Sequence, residues 1–332
     1  MGRTRQPDVP MVDLVFDIGG TIWRAALYGA GGLEQRKQIE ARPGADPVVA
    51  LLDGLAELGR AVLGEVERPG RIAIAFPGPV DGHGRVQAAP PLWERPLERP
   101  LDLGRLVAAM FGDAPVTVVN DLSAAGYRYL GDGGDFAVIT VSTGIGSKVF
   151  VEGRPLLGSK QRGGEIGHWR VDMAADAPPC DCGGRGHLGA IASGRALPAA
   201  LARARSEHPD LLESSALRAE LSRGATPSNR DVARAFREAD GLAVQAVAYG
   251  ARALGSALAL LHVGIGLERF VIIGGLARAL GDEYLHLLER AAAAACWGDP
   301  EDWAERIQPG EPDDDSGLLG AGRLLEAQVV RT

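Results

Sequence analysis

The sequence predicts an α/β protein built as two packed lobes. Three observations carry this. The chain has 332 residues, more than one hydrophobic core usually organises. Short apolar runs that end in glycine turns alternate with stretches of helical periodicity. A strand–glycine turn–strand unit also occurs twice, once near the start of each half, as a weak repeat of architecture.

Residues 1–10 are polar and contain proline, and predict a disordered N-terminus without the apolar segment of a signal peptide. Val12–Asp17 is an apolar run closed by Gly19-Gly20-Thr21, hence a strand and a tight turn; Ile22–Tyr28 and Leu33–Ala41 follow as strands. Pro47–Val66 has helical spacing, with Pro47 placed to open it. Arg71–Phe76 reads as a buried strand stopped by Pro77-Gly78-Pro79, Leu101–Phe111 as a helix, Pro115–Val119 as a strand and Asp121–Leu130 as the helix after it. The second round has strands at Phe136–Val141 and Lys148–Val151 around Ser142-Thr143-Gly144-Ile145-Gly146. Gly163–His187 reads as an ordered loop, Ser193 to about Leu261 as mostly helix, Arg269–Ile273 as a last strand closed by Gly274-Gly275, and Leu285–Cys296 and Leu318–Val329 as helices. Asp313-Asp314-Asp315 reads as a solvated acidic turn. The domain division read from this is 11–120 for the first lobe and 121–317 for the second, with an inserted loop at 163–188.

The chain is 46% hydrophobic and 23% charged, with a formal net charge of -8. No basic run is present, which speaks against nucleic acid as a partner, because phosphate backbones select basic faces. No segment reads as long and apolar enough to span a membrane, and the expected location is cytoplasmic. The three lysines are Lys37, Lys148 and Lys160.

Asp17-Ile18-Gly19-Gly20-Thr21 joins two expected strands. Glycines let a backbone approach an anion closely, and successive N–H groups can then point at phosphate oxygens. Thr21 adds a hydroxyl, and Asp17 can reach a phosphate-bound Mg²⁺ through water. A plain hairpin would look the same. Thr143, Gly144 and Gly146 repeat the device, and neither turn has the Lys-Ser/Thr of a Walker motif. Gly274 and Gly275 suit a nucleoside lying on the backbone, and equally a helix cap or turn.

Asp121, beside Asn120 at the end of a strand, is the candidate general base: it accepts the proton of a hydroxyl that attacks a γ-phosphate, with Asn120 orienting the acceptor. It can also be read as the N-cap of the following helix. His168, Cys180, Cys182 and His187 offer two imidazoles and two thiols, a set suited to a closed, structural zinc site. The neighbouring cysteines are badly placed to bridge each other. The metal would lock the loop that presents Glu165. Alternatively these are ordinary loop residues. Trp93 and Trp169 read as packing residues, and Cys296 as a buried small apolar one.

These stretches, with Pro77-Gly78-Pro79-Val80-Asp81-Gly82, Gly164-Glu165-Ile166-Gly167-His168, Ile273-Gly274-Gly275 and Leu318-Leu319-Gly320-Ala321, resemble in order and spacing the ROK family of sugar kinases and related repressors. The resemblance runs from about Val12 to Leu325. It implies an actin-like (ribonuclease H-like) fold whose lobes close on ATP and substrate, a catalytic Asp121, acceptor contacts from Asn120, Glu165, His168 and Gly78, and ATP, Mg²⁺ and structural Zn²⁺ as cofactors. It also implies a homodimer or homotetramer and a last helix, 318–330, packed back on the first lobe. Three departures stand out. His187 takes the place of a usual cysteine, Gly189 that of a glutamate that binds sugar hydroxyls, and Pro91 that of an asparagine. The phosphate turns and the base are intact, so the same chemistry on an unusual acceptor is expected, such as a C7 cyclitol or another modified sugar. An ordinary glucokinase is the alternative among kinases, and a non-catalytic sugar sensor the alternative of another class. A repressor is not expected: only 16 residues precede Asp17, too few for a DNA-reading domain.

Overall fold

The structure is a computed structural model and describes residues 12–42, 44, 46–66, 68–132, 134–298 and 302–329. The expectations for residues 1–10 and for a helix reaching residue 330 fall outside these at their ends. In chain order the first elements are β1 (Asp13–Ile18), β2 (Ile22–Gly29), β3 (Gly32–Glu40), α1 (Pro47–Leu63), β4 (Ile72–Phe76), α2 (Leu103–Met110), β5 (Val116–Asn120) and α3 (Asp121–Tyr127). Then come β6 (Phe136–Val141), β7 (Ile145–Val151), β8 (Arg154–Pro155), α4 (Gly189–Ala192), α5 (Leu197–Glu207), α6 (Pro209–Ser214), α7 (Arg218–Ser222), α8 (Asn229–Arg237) and α9 (Gly241–Ile265). The last are β9 (Arg269–Ile273), α10 (Gly275–Leu280), α11 (Asp282–Ala295), α12 (Asp302–Arg306), β10 (Ile307–Pro309) and α13 (Ser316–Val329).

The chain divides into two compact units. One takes in the described residues up to Asp132, Leu157–Arg162, and those from Asp313 onward; the other takes in the rest. The sequence placed the boundaries at 120–121 and 317–318. They move because α3 packs on α13, and because Asp313–Asp315 are tied to arginines of the first unit.

The first unit has a five-stranded sheet in the order β3-β2-β1-β4-β5, with β1, β4 and β5 parallel and β2 and β3 antiparallel. Strand alternation decides its two faces. Leu14, Phe16 and Ile18 of β1 join the cluster containing Leu51, Leu55, Leu58 and Val62 of α1 and Leu103 and Val107 of α2. The α1 residues recur every three or four positions, one face of a helix, and Asp46 caps its start by accepting hydrogen bonds from Val48 N–H (2.9 Å) and Val49 N–H (3.2 Å). On the other face Val15, Ala26, Tyr28 and Ala73 pack against Leu318, Ala321 and Leu325 of α13.

Asp313-Asp314-Asp315 is a solvated turn only in part: Asp313 and Asp314 are exposed, as expected, but Asp315 is buried, and all three meet arginines. Arg128 forks onto Asp313 (2.5 and 2.8 Å), Arg24 lies 3.8 Å from Asp314, and Arg36 pairs with the buried Asp315. The hydrogen bonds from Arg128 hold the Asp313 carboxyl at about 2. Long-range partners, invisible in the local run of acids, convert it into a clasp at the start of α13.

The second unit has a sheet in the order β10-β9-β6-β7-β8, with β6, β9 and β10 parallel and β7 and β8 antiparallel. Its core is organised by α9, capped by Asp240, which accepts from Ala243 N–H (3.0 Å), and ended by Gly266 at φ 85°. By length and composition α9 is apolar enough to cross a membrane, contrary to the sequence reading; its mean hydropathy over 18 residues is 1.3. Many of its apolar residues, among them Leu242, Val247, Leu254, Leu258 and Leu261, instead form the centre of this unit's core, while Leu260, Val263 and Ile265 are exposed.

Gly320 fixes the docking of α13 on α3: a Cβ there would stand 1.8 Å from the carbonyl oxygen of Ala124. Gly320→Ala is expected to cost about 1–3 kcal/mol through overpacking, read as a fall in Tm of several degrees. Gly264→Ala, with no atom within 4 Å of the added carbon, is the control and should be neutral or stabilising. Equal Tm values for the two variants would show that this contact does not matter.

Candidate active site

Parallel strands deliver their C-terminal ends to one edge of a sheet, and loops at that edge are where open α/β sheets place ligands. In the first unit, the ends of β1, β4 and β5 carry Asp17-Ile18-Gly19, Phe76-Pro77-Gly78 and Asn120-Asp121. Three of the segments singled out in the sequence therefore share one edge. The Gly19-Gly20-Thr21 turn is tight: Gly19 N–H donates to the Ile22 carbonyl (3.1 Å), and a Cβ on Gly19 would lie 2.8 Å from that oxygen. Gly20 abuts Pro91, so one of the unusual residues touches the first glycine turn. Gly78 is forced to be glycine by the Ala88 carbonyl, 2.0 Å from where a Cβ would sit.

Asn120, not Asp121, is the N-cap of α3. Its Oδ1 accepts from Leu122 N–H (3.1 Å) and Ser123 N–H (3.2 Å), and its backbone is extended at φ -60°, ψ 144°. Its Nδ2 donates to the Gly78 carbonyl (3.3 Å) and to Asp121 Oδ1 (2.8 Å). Asp121 is the first helical residue, and its Oδ1 also accepts from Leu122 N–H (2.8 Å). The side chain of Asn120 is thereby committed to holding β4, β5 and the Asp121 carboxylate together.

Asp17 pairs across the β1–β2 ladder with Arg24, whose Nη1 lies 3.6 Å away. The first turn of α13 closes on it, since a Cβ on Gly317 would stand 2.4 Å from its carboxyl group. Burial pushes the Asp17 carboxyl up to about 7, the charges of Asp121 and Asp315 push the same way, and Arg24 opposes them. Carboxylates that raise one another in this way suit a cation.

In the second unit the ends of β6 and β9 also lie side by side, bringing Ser142-Thr143-Gly144 next to Gly274-Gly275. Ser142 N–H donates to the Gly144 carbonyl (3.0 Å), closing the turn. Gly146 is not part of that turn: it lies in β7, opposite Thr140. Gly274, at φ 106°, sits where a Cβ would meet the Val141 carbonyl at 2.5 Å, and Gly275 comes within 3.9 Å of Ser142 Oγ by the same measure. Arg195, which the sequence did not single out, also reaches this turn.

The Glu165 loop is anchored to β7. Ser147 Oγ accepts from Ile166 N–H (3.0 Å) and donates to the Gly164 carbonyl, and a Cβ on Gly167 would lie 2.2 Å from the Ile145 carbonyl. Glu165 pairs with Lys148, whose Nζ also donates to the Gly163 carbonyl (3.1 Å). Lys148 is 2% exposed and Glu165 44%, so a buried cation holds a carboxylate that faces outward. Gly189 abuts this loop: its Cβ position is 3.2 Å from the Gly167 carbonyl.

His168, Cys180, Cys182 and His187 converge, with their ligand atoms all within 4.8 Å of one another and Cys182 Sγ 3.2 Å from His187 Nδ1. A zinc tetrahedron has edges of about 3.3–3.8 Å from its bond lengths, so slight closure completes it. Both cysteines are free thiols, and burial pushes the Cys180 thiol up. Elsewhere, Trp93 packs on Phe76 (5.8 Å between centroids), whereas Trp169 is exposed and Cys296 only half-buried, because α11 ends at Ala295.

A sequence model of the family described as the ROK family matches residues 14–328. The chain is 38% identical to a C(7)-cyclitol 7-kinase of Streptomyces hygroscopicus subsp. limoneus, over 95% of this chain and 94% of that protein. It is 33% identical to a glucokinase of Aeropyrum pernix, over 92% and 93%. Its structure superposes on that of a ROK family glucokinase from Streptomyces griseus in complex with glucose and AMPPNP, with a TM-score of 0.70 and 24% identity over 94% of this chain and 98% of the other. The chain belongs to the ROK family and has its actin-like α/β fold.

Proposed function

We propose that this protein is an ATP-dependent kinase that transfers the γ-phosphate to a hydroxyl of a small polyol, a C7 cyclitol or a close relative. The observation that carries this is the division of labour at the end of β5. Asn120 does the capping, so the Asp121 carboxylate is held by its neighbour without being needed as the cap. In this reading Asp121 accepts the acceptor's proton as the oxygen attacks the γ-phosphorus; the new O–P bond forms, the bond to the β-phosphate oxygen breaks, and ADP leaves. Gly19, Gly20 and Thr21, together with Thr143 and Gly144, present backbone and hydroxyl donors to the phosphates. Gly146 supports the second turn from within β7, and Gly274 and Gly275 take the nucleoside. Asn120 and Gly78 position the base and the acceptor.

Asp17 would hold phosphate-bound Mg²⁺, and its raised carboxyl is the reason a cation fits there. The ion would supply charge that offsets the triphosphate. Zn²⁺ would be held by His168, Cys180, Cys182 and His187 and would stiffen the loop carrying Glu165, an acceptor contact aimed by Lys148. Support for ATP comes from AMPPNP, an ATP analogue, in the related glucokinase. Support for a cyclitol comes from the C(7)-cyclitol 7-kinase relative, from Gly189 beside the Glu165 loop, and from Pro91 on the first turn. A cytoplasmic location and a homodimer or homotetramer rest on the family resemblance.

A panel of C7 cyclitols, hexoses and amino sugars, scored by ADP release, tests the assignment. Turnover is expected to be fastest on a cyclitol; vigorous turnover of glucose would instead favour a glucokinase. Asp121→Asn should keep ATP binding and lose turnover by a factor on the order of 10²–10⁴ on the best acceptor. Near-normal activity removes Asp121 from the role.

Asp17 generates a pH signature. Its folded carboxyl titrates at about 7 against an ordinary 3.8, so between those values the native state holds the extra proton. The stability this confers is fully present below about 3.8 and is lost as pH rises to about 7. In ligand-free protein with a chelator of divalent cations, Asp17→Asn should therefore be more stable than wild type at pH 8, by on the order of a few kcal/mol in denaturant unfolding, with the gap shrinking towards pH 4.5. A gap independent of pH would contradict this. Elemental analysis is expected to find about one zinc per chain, lost in Cys180→Ser; fully active zinc-free protein would defeat the metal reading.

A further inference from the structure

The second glycine hairpin has a cationic neighbour built onto it. Arg195 lies in the short turn Gly194–Ala196 between α4 and α5. Two backbone hydrogen bonds stitch that turn to the hairpin: Gly194 N–H donates to the Ser142 carbonyl (2.8 Å), and Arg195 N–H donates to the Thr143 carbonyl (3.2 Å). The approach is close enough to require glycine at 194, where a Cβ would lie 2.9 Å from the Ser142 carbonyl oxygen. The guanidinium then folds over the hairpin, with Nη2 3.3 Å from where a Cβ of Gly144 would stand. Its Nη1 pairs with Asp181, the residue between Cys180 and Cys182. The arginine side chain is 55% exposed.

A guanidinium offers five N–H donors in a rigid fork that matches a phosphate. Pairing through Nη1 leaves Nη2 directed at the turn. The turn is also the place where backbone N–H groups are available to an anion. We propose that Arg195 is a nucleotide-phosphate ligand, aimed at the Thr143-Gly144 turn by its ion pair with Asp181. This rests on the reading of the chain as an ATP-dependent kinase. It adds a charged side-chain contact to what the glycines supply, and it ties donor binding to the loop that holds the candidate metal ligands. An exposed surface ion pair alone would contribute little to stability, so a purely structural role for this arginine would leave nucleotide affinity unchanged.

The test is ATP and ADP binding to the full chain by calorimetry in the presence of Mg²⁺, alongside Tm without nucleotide. Arg195→Gln is expected to weaken both nucleotides on the order of tenfold to a hundredfold while leaving the nucleotide-free Tm unchanged, and Arg195→Lys should recover part of the loss. Wild-type affinity in Arg195→Gln overturns the proposal. So does a loss that comes with a lowered Tm and is not relieved by Arg195→Lys. Wild-type protein that binds neither nucleotide overturns the kinase reading itself, and the proposal with it.

Discussion

The first unit depends on holding carboxylates within reach of one another at the edge of a single sheet. Strand pairing fixes Asp17 and Asp121 at the ends of β1 and β5, with β4 between them. Burial is the main reason the Asp17 carboxyl is raised; Arg24, 3.6 Å away, opposes it, and the charges of Asp121 and Asp315 add to it. Glycines at 19 and 78 let backbone carbonyls come close at this edge, and Gly317 does the same for the Asp17 carboxyl group.

In the second unit the hairpin is faced by Arg195, paired with Asp181, and the Glu165 loop is backed by Lys148, paired with Glu165. Lys148 is the more unusual of the two. A fully buried ammonium persists only with a partner, and its partner Glu165 reaches outward. The pair fixes the direction of Glu165. Gly189 beside it adds no competing carboxylate.

Much of this was legible in the sequence because it is local. Strand–glycine turn–strand patterns at Asp17-Ile18-Gly19-Gly20-Thr21 and around Thr143-Gly144 read correctly as hairpins, and the Cys/His loop read correctly as a cluster of metal-ligand types. What failed was non-local. Asn120 and Asp121 are both capping residue types, and only the extended backbone of Asn120 decides between them. Lys148 and Arg195 find their acidic partners 17 and 14 residues away, with no periodic signal to mark them. At Asp313–Asp315 the exposure of the first two was legible, but not the burial of Asp315 nor the arginines, which come from β2, β3 and the end of α3. The helix α9 looked ordinary although its composition also suits a bilayer; only packing assigns its apolar residues to the core.

The position of α13 has a temporal corollary. Val15, Ala26 and Ala73 belong to β1, β2 and β4, yet the helix that covers them is translated only after every other element described. Until then one side of that sheet is uncovered and Asp17 lacks the helix turn that encloses it. Nascent chains therefore carry a sticky, unfinished sheet while the whole second unit is being made, and the carboxylate acquires its special environment only once α13 has been added.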